Sequence, residues 1–449
     1  MKAKSKVFTI LLIICSFPIV ALANDIEKKS PISVSGKVSV FSRYTNNPYF
    51  GAEDSRLGYT PDKIYSEIAA TVAVTGEQKT DLGLVTGQVG AYFGKTIGDD
   101  FYGQMKSNTN NAWEAAGYDS EADEVLLNQA WIKLGNAFST NFDITVGRQD
   151  IALEKGFVVW GNPRLETAAW TNFQQSFPFA VRVDHKTDDL LITALFAQAE
   201  RYSAGAFEND VKLYGANVHY DFNDSAYIYG SVFKKDEPSL GETSSMIDDR
   251  ENDTVSYDLG LDMKINRVQI EFEGAYQTGD VKTLTDKFDR ESYAYWGALT
   301  YNFPVALNPY VRSSYYYFSG DDANSSDVEA YDPMFSGFSG WNKFYIGEFV
   351  GENQLVNSNK ESIVLETGFS PVEKVNLAFM YIIHNLAEKN TEGNKHWADE
   401  INVIADYFLS ETIYVHGGLG YAMPNDAAED AYGSNDDGFF AQAQVVFNF

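Results

Sequence analysis

The sequence predicts an all-β fold: a transmembrane antiparallel β-barrel of about 18 strands, with short turns at one end and long loops at the other. Three observations predict it. After residue 23 no stretch approaches the ~18 to 20 continuous apolar residues of a membrane-crossing helix. Many segments nevertheless alternate apolar and polar with a period of two, the period of a strand. The connections between those segments alternate long and short. Only helices and closed barrels satisfy every backbone group in lipid, so an exported chain without a helical span leaves the barrel.

The N-terminus reads as a secretory signal. Lys2, Lys4 and Lys6 form a basic region, Val7 to Val20 an apolar one, and Ala21-Leu22-Ala23 supplies small residues for cleavage before Asn24. Residues 24–449 then form a single barrel domain. Cys15, the one cysteine, leaves with the signal, so no disulfide is expected. Removing the three lysines takes the formal net charge from −29 to −32. A chain this acidic is a poor nucleic-acid binder. Its 15% of aromatic residues argues for folded β-structure over acidic disorder.

Strands are expected at about 32–43, 63–76, 82–94, 125–135, 141–149, 177–186, 189–199, 211–222, 226–235, 254–265, 267–279, 291–302, 307–318, 361–370, 373–384, 399–409, 411–422 and 438–449. The clearest are the tenth and eleventh. Val255, Tyr257, Leu259, Leu261 and Met263 share one face; Ser256, Asp258, Gly260, Asp262 and Lys264 share the other. Long loops are expected near 44–62, 95–124, 150–176, 200–210, 236–253, 280–290, 319–360, 385–398 and 423–437. Short turns separate them, and the parity places both termini in the periplasm. The last strand sets Phe439, Ala441, Ala443, Val445, Phe447 and Phe449 on one face and ends the chain on an aromatic residue. Bacterial outer-membrane barrels end so, and the barrel-assembly machinery is the partner expected to read Phe449. That strand should also pair with 32–43 and leave no open edge.

Taking inward faces strand by strand gives a candidate pore lining. The basic members are Lys37, Arg43, Lys133, Arg182, Lys264 and Arg312. The acidic members are Glu67, Asp143, Asp184, Asp258, Asp262, Glu271, Glu273, Glu366 and Asp406.

Two regions carry more specific patterns. Leu127-Asn-Gln-Ala-Trp-Ile-Lys-Leu134 is followed by Ile144-Thr-Val-Gly-Arg-Gln149, Gly156-Phe-Val-Val-Trp160 and Trp170-Thr-Asn172. Further on, Ser319-Gly-Asp-Asp322 precedes Glu329-Ala-Tyr-Asp-Pro-Met-Phe335. These resemble the alginate-export family of outer-membrane barrels, eighteen-stranded pores that pass a polyuronate. The resemblance singles out Arg148 as lining the pore. Strict alternation from Phe142, Ile144 and Val146 would aim it at lipid, so that role needs a bulge; otherwise the side chain snorkels at the rim. The acidic lining departs from the family substrate, because a pore selecting a polyanion is expected to line its lumen with lysine and arginine.

The loop around Trp160, Arg164, Trp170 and Phe173 is a candidate constriction if it folds into the lumen; otherwise its aromatics belong to the interface belt or to lipopolysaccharide contacts. The acidic runs Asp119–Glu124 and Asp248–Asp253 read as solvated, self-repelling loops rather than Ca²⁺ sites. His185, His219, His384, His396 and His416 show no metal spacing, and Ser/His/Asp residues stand in no motif. No catalytic residue, metal or cofactor is therefore expected. The leading expectation is a passive channel in the bacterial outer membrane for a hydrophilic solute, a saccharide or a small organic or ionic nutrient, with the lipid bilayer and lipopolysaccharide as surroundings. The alternatives are an export pore for an anionic exopolysaccharide and a structural barrel sheathing a periplasmic partner protein.

Overall fold

The computed structural model describes residues 31–52, 63–98, 124–161, 171, 176–203, 206–238, 251–283, 285–335, 346–355 and 357–449. Every strand of the single sheet is antiparallel to its neighbours. The first half runs β1 Ile32–Asn46, β2 Ile64–Thr80, β3 Gly83–Ile97, β4 Glu124–Gly135, β5 Phe142–Asp150, β6 Ser176–Lys186, β7 Leu190–Ser203, β8 Ala206–Asn223 and β9 Ala226–Glu237. The second runs β10 Glu251–Ile265, β11 Val268–Lys282, β12 Lys287–Asn302, β13 Tyr310–Phe318, β14 Lys360–Val372, β15 Val375–Asn385, β16 His396–Phe408, β17 Ile413–Pro424 and β18 Gly438–Asn448. Among the described residues two short helices sit in long loops, α1 Val350–Asn353 and α2 Asp426–Tyr432.

The 18 strands close on themselves, because β1 pairs with β2 on one side and with β18 on the other. At the seam Lys37 lies opposite Asn448 and Asn46 opposite Phe439. The Gly36 and Phe449 amides then exchange hydrogen bonds of 2.9 and 3.0 Å, which extends the seam to the last residue. Closure removes the open edge that would leave backbone groups unpaired in lipid.

One face of the wall is an exposed apolar surface carrying Val72, Val89, Ile132, Leu259, Phe272, Leu299, Leu365 and Leu419. The other carries Ser39, Thr193, Asn217, Asp258, Glu271, Ser292, Asn402 and Gln444, which face a lumen partly filled by chain. Strand ends depart from expectation at two of the long loops. β7 runs to Ser203 and β8 resumes at Ala206, while β11 runs to Lys282 and β12 resumes at Lys287. The loops expected at 200–210 and 280–290 are thus mostly strand. Ladder pairs such as Asn252–Val281 and Asp280–Asp289 continue through polar sequence whose alternation is invisible to an apolar count.

Candidate functional site

Segments of two long loops turn back into the barrel. After β5 the chain runs through Ile151, Leu153, Phe157, Val158 and Val159, all buried, in an apolar cluster shared with Phe318 at the end of β13 and with Tyr331 and Phe335 of the β13–β14 loop. Val159 and Phe335 form a parallel bridge, and the Trp160 amide donates to the Phe335 carbonyl at 2.6 Å. Phe157 meets the Phe318 and Tyr331 rings at 5.8 and 6.1 Å, and Phe335 meets Phe177 edge-on at 5.5 Å. This apolar joint has no strand period, which is why a sequence pattern does not announce it.

Polar side chains bolt the same segments to the wall. Lys155 donates to Asp262 at 2.8 Å and to Glu271 at 3.0 Å. Burial alone would lower the Lys155 ammonium, yet those two carboxylates hold it above the ordinary lysine value. Beside it Glu154 accepts from Asn217 at 2.6 Å and pairs with His219 at 2.9 Å. In the second loop Asp332 pairs with Lys235 at 2.6 Å and accepts from Asn252 and Thr254, each at 3.1 Å. Burial would raise the Asp332 carboxyl, but Lys235 and Arg290 hold it far below the usual carboxylate range.

A further stretch of that loop, around α1, is fixed by Glu400. The Phe349 and Val350 amides donate to its two oxygens, both at 2.9 Å. His384 stands 3.3 Å from the same carboxylate, and its other ring nitrogen is 2.9 Å from the Ser362 hydroxyl. Serine, histidine and glutamate in line resemble a hydrolase relay, a grouping no sequence motif suggested. All three are fully buried, and the carboxylate also accepts from the Asn402 side-chain amide at 2.8 Å, so the row fastens the loop to the wall. Arg43 reaches the same stretch, 3.5 Å from Glu348 and 4.7 Å over the Phe440 ring.

The strand registers set fifteen of the charged candidates on the lumen face. Lys133 pairs with Asp143 at 2.6 Å and Arg182 with Asp184 at 2.8 Å. Arg312 pairs with Glu271 and donates to Thr300. Glu366 accepts from Tyr310, and Asp406 from Tyr414 at 2.7 Å with His416 2.8 Å away. Glu67 accepts from the Thr171 amide at 3.0 Å, Glu273 from the Trp296 indole at 3.0 Å, and Asp258 from Ser231 at 3.4 Å. Lys37 is half-buried on β1, and Lys264 is exposed near the turn end of β10, opposite Gln269.

Arg148 sits otherwise. The β4–β5 ladder runs unbroken from Leu134–Ile144 to Ala130–Arg148, so Arg148 stays in step with the exposed pair Ile132 and Val146. The bulge that a lumenal turn requires is present, at Gly147 with φ +127°, but it shifts the register toward β6 instead. A Cβ there would collide with the Ala130 carbonyl, so only glycine suits the bend. Of the constriction-loop candidates, Trp160 is partly exposed beside Gly156, while Arg164, Trp170 and Phe173 lie outside the described residues. Of the acidic runs, residues 119–123 and 248–250 lie outside them as well, and among the described residues no group of His, Cys, Asp and Glu is placed to hold a metal ion.

Several lumen groups escaped the sequence reading. Lys235 shares its face with Tyr229 and Phe233, which makes that side of β9 read as apolar. Arg290 and Lys360 fell in stretches expected to be loop, and Glu400 shares the parity of Asp406 and was legible there.

Comparison with known proteins agrees with this architecture. The sequence profile of a family described as alginate export matches residues 101–402, about two thirds of the chain. Among solved structures the chain is similar to Acinetobacter baumannii OccAB4, with TM-score 0.57 and 14% identity over 93% of this chain and 98% of that one. It is similar to Pseudomonas aeruginosa OccK5 (OpdH), with TM-score 0.57 and 13% identity over 93% and 98%. A BenF-like porin from Pseudomonas fluorescens Pf-5 gives TM-score 0.59 and 11% identity over 93% and 98%. At such identities the likeness is one of fold. No curated protein matches the chain.

Proposed function

The chain belongs to the alginate-export family of outer-membrane barrels, and from that premise we propose that it is a passive channel for a hydrophilic solute of the saccharide type. The observation that carries this reading is the charge arrangement beneath the inserted loops. Lys133, Arg182, Arg312 and Lys155 each already sit on a carboxylate. Asp406 meets a tyrosine hydroxyl and a histidine in place of lysine or arginine, and Glu366 accepts from Tyr310 while sharing Arg312 with Glu271. A wall with most of its cations held on carboxylates, and further carboxylates beside them, suits neutral or cationic solutes and opposes a polyanion. The lumen-facing charges then tune selectivity, and the segment 151–161 narrows the path. Arg148, on the outer ladder, acts at the rim rather than in the constriction.

Export of an anionic polysaccharide is the second reading, favoured by the family match itself. Planar-bilayer recordings test the first. Purified protein should insert and give discrete conductance steps, and inserted protein that never conducts would contradict a channel. Competition by neutral sugars, with no effect of oligouronates, separates the two cargoes.

A further inference from the structure

At the long-loop end the lumen wall holds a cavity of about 560 Å³, within the size range of small-ligand sites. Its floor is the last turn of wall from β9 to β12. Its outer side is the stretch 321–328 of the β13–β14 loop, held down by a parallel bridge from Val328 to Arg290. Asp321 stiffens that stretch by accepting from the Glu329 and Ala330 amides at 2.7 and 2.8 Å.

The lining has two characters. Phe288, Val281 and Val328 supply apolar surface, and the Phe288 ring is the one aromatic face among them. Asn252, Thr283, Ser325 and Arg290 supply donors, and Glu237 and Asp327 supply acceptors. Arg290 is nine-tenths buried. Its terminal nitrogens donate to the Ala330 carbonyl at 2.8 Å and to Asn252 at 3.3 Å, while its Nε finds no acceptor among the described residues. That atom is enclosed by protein, so the guanidinium fixes this part of the wall and lends the cavity its one positive charge.

Charge narrows the ligand. One guanidinium faces the carboxylates of Glu237, Asp321, Asp322 and Asp327, so an anionic ligand is repelled. No set of carboxylates among the described residues is arranged to hold a metal ion. A surplus of acceptors beside an aromatic face calls for a ligand with many hydroxyl donors and an apolar side. A pyranose ring has both: its C–H face covers the phenyl ring, and its hydroxyls donate to the carboxylates.

We propose that this cavity is a docking subsite for a neutral saccharide, the first place such a solute is held on its way into the lumen. The proposal rests on the channel reading and gives it a residue set. Isothermal titration of the full-length protein in detergent, with glucose, maltose, cellobiose and digalacturonate as probes, tests the site whether or not the barrel conducts. At least one neutral sugar should bind, and digalacturonate at equal concentration should not. Phe288→Ala should weaken the neutral sugar by roughly threefold to tenfold, the value of one ring contact. Asp327→Asn, on an exposed loop position, should weaken it in the same direction while leaving barrel stability unchanged. Absence of binding by all three neutral sugars, equal binding of digalacturonate, or an unchanged affinity in Phe288→Ala overturns the subsite. Conductance recorded on the same preparations reports separately on the channel: steps without sugar binding remove the subsite and leave the pore.

Discussion

Lys155 shows how one side chain sets the geometry of the lumen. It comes from a loop yet binds Asp262 and Glu271, close to the turn ends of β10 and β11, so it pulls segment 151–161 deep into the barrel. Its side chain retains 27% of its exposure, so losing it costs less than the ~3 to 5 kcal/mol of a fully buried broken pair. Lys155→Met should therefore leave an assembled barrel whose single-channel conductance is larger and noisier than wild type; unchanged conductance would show that the segment is held by its apolar joint alone. Asp332 is the equivalent anchor of the second loop. Its carboxyl is depressed in the folded state, so its contribution is present above the ordinary carboxylate pKa and is lost only as pH falls through the depressed value. The Lys155 ammonium is raised, so its contribution is intact below the ordinary lysine pKa and fades only above it. Limited proteolysis within 319–359 should stay slow in the wild type down to about pH 4. Asp332→Asn should speed that cleavage severalfold at neutral pH, because Lys235 keeps only Glu237. Equal rates for the two proteins would remove Asp332 as an anchor.

At the scale of elements, strands were legible and inserted loops were not. A wall with lipid outside and water inside writes its two faces into alternate residues, so the tenth, eleventh and eighteenth strands declare themselves. The same rule placed Asp258, Asp262, Glu271 and Glu273 on the lumen face. It failed where the lumen itself is apolar: Phe233 beside Lys235 faces inward because a loop packs on it. Nothing periodic marks Lys155 or Asp332, whose partners lie more than a hundred or about a hundred positions away. The outer face makes a plain prediction. Leu259→Arg, among the exposed apolar residues, should cost about 2 to 4 kcal/mol of folding stability in vesicles if it lies near the midplane. A cost near zero would mean that this stretch does not face hydrocarbon. The closing strand makes another. The Phe449 ring lies over Gly36, where a Cβ would collide with it, and its backbone completes the seam. Deleting Phe449 should lower the yield of assembled barrel in cells more than it lowers refolding of the pure protein, if the assembly machinery reads that residue. Equal losses in the two settings would make its role purely structural.

For the whole molecule, 18 antiparallel strands and an exposed apolar girdle define an outer-membrane barrel, and the lumen's contents decide what passes. The fold is shared with porins of low identity, so the path for a solute has to be argued from this chain's own side chains. They give an apolar plug region built from two loops, and beneath it a polar wall where Lys133, Lys155, Arg182 and Arg312 are bound into ion pairs. That arrangement departs from what a polyuronate exporter needs, although the family is the alginate-export one. Reversal potential across a salt gradient is the most direct measure of this difference. Purified protein in a planar bilayer, with potassium chloride at about tenfold higher concentration on one side, should show discrete steps and a reversal potential of the sign that marks cation preference. Clear anion preference would contradict the carboxylate-dominated lumen and return the polyanion reading to first place.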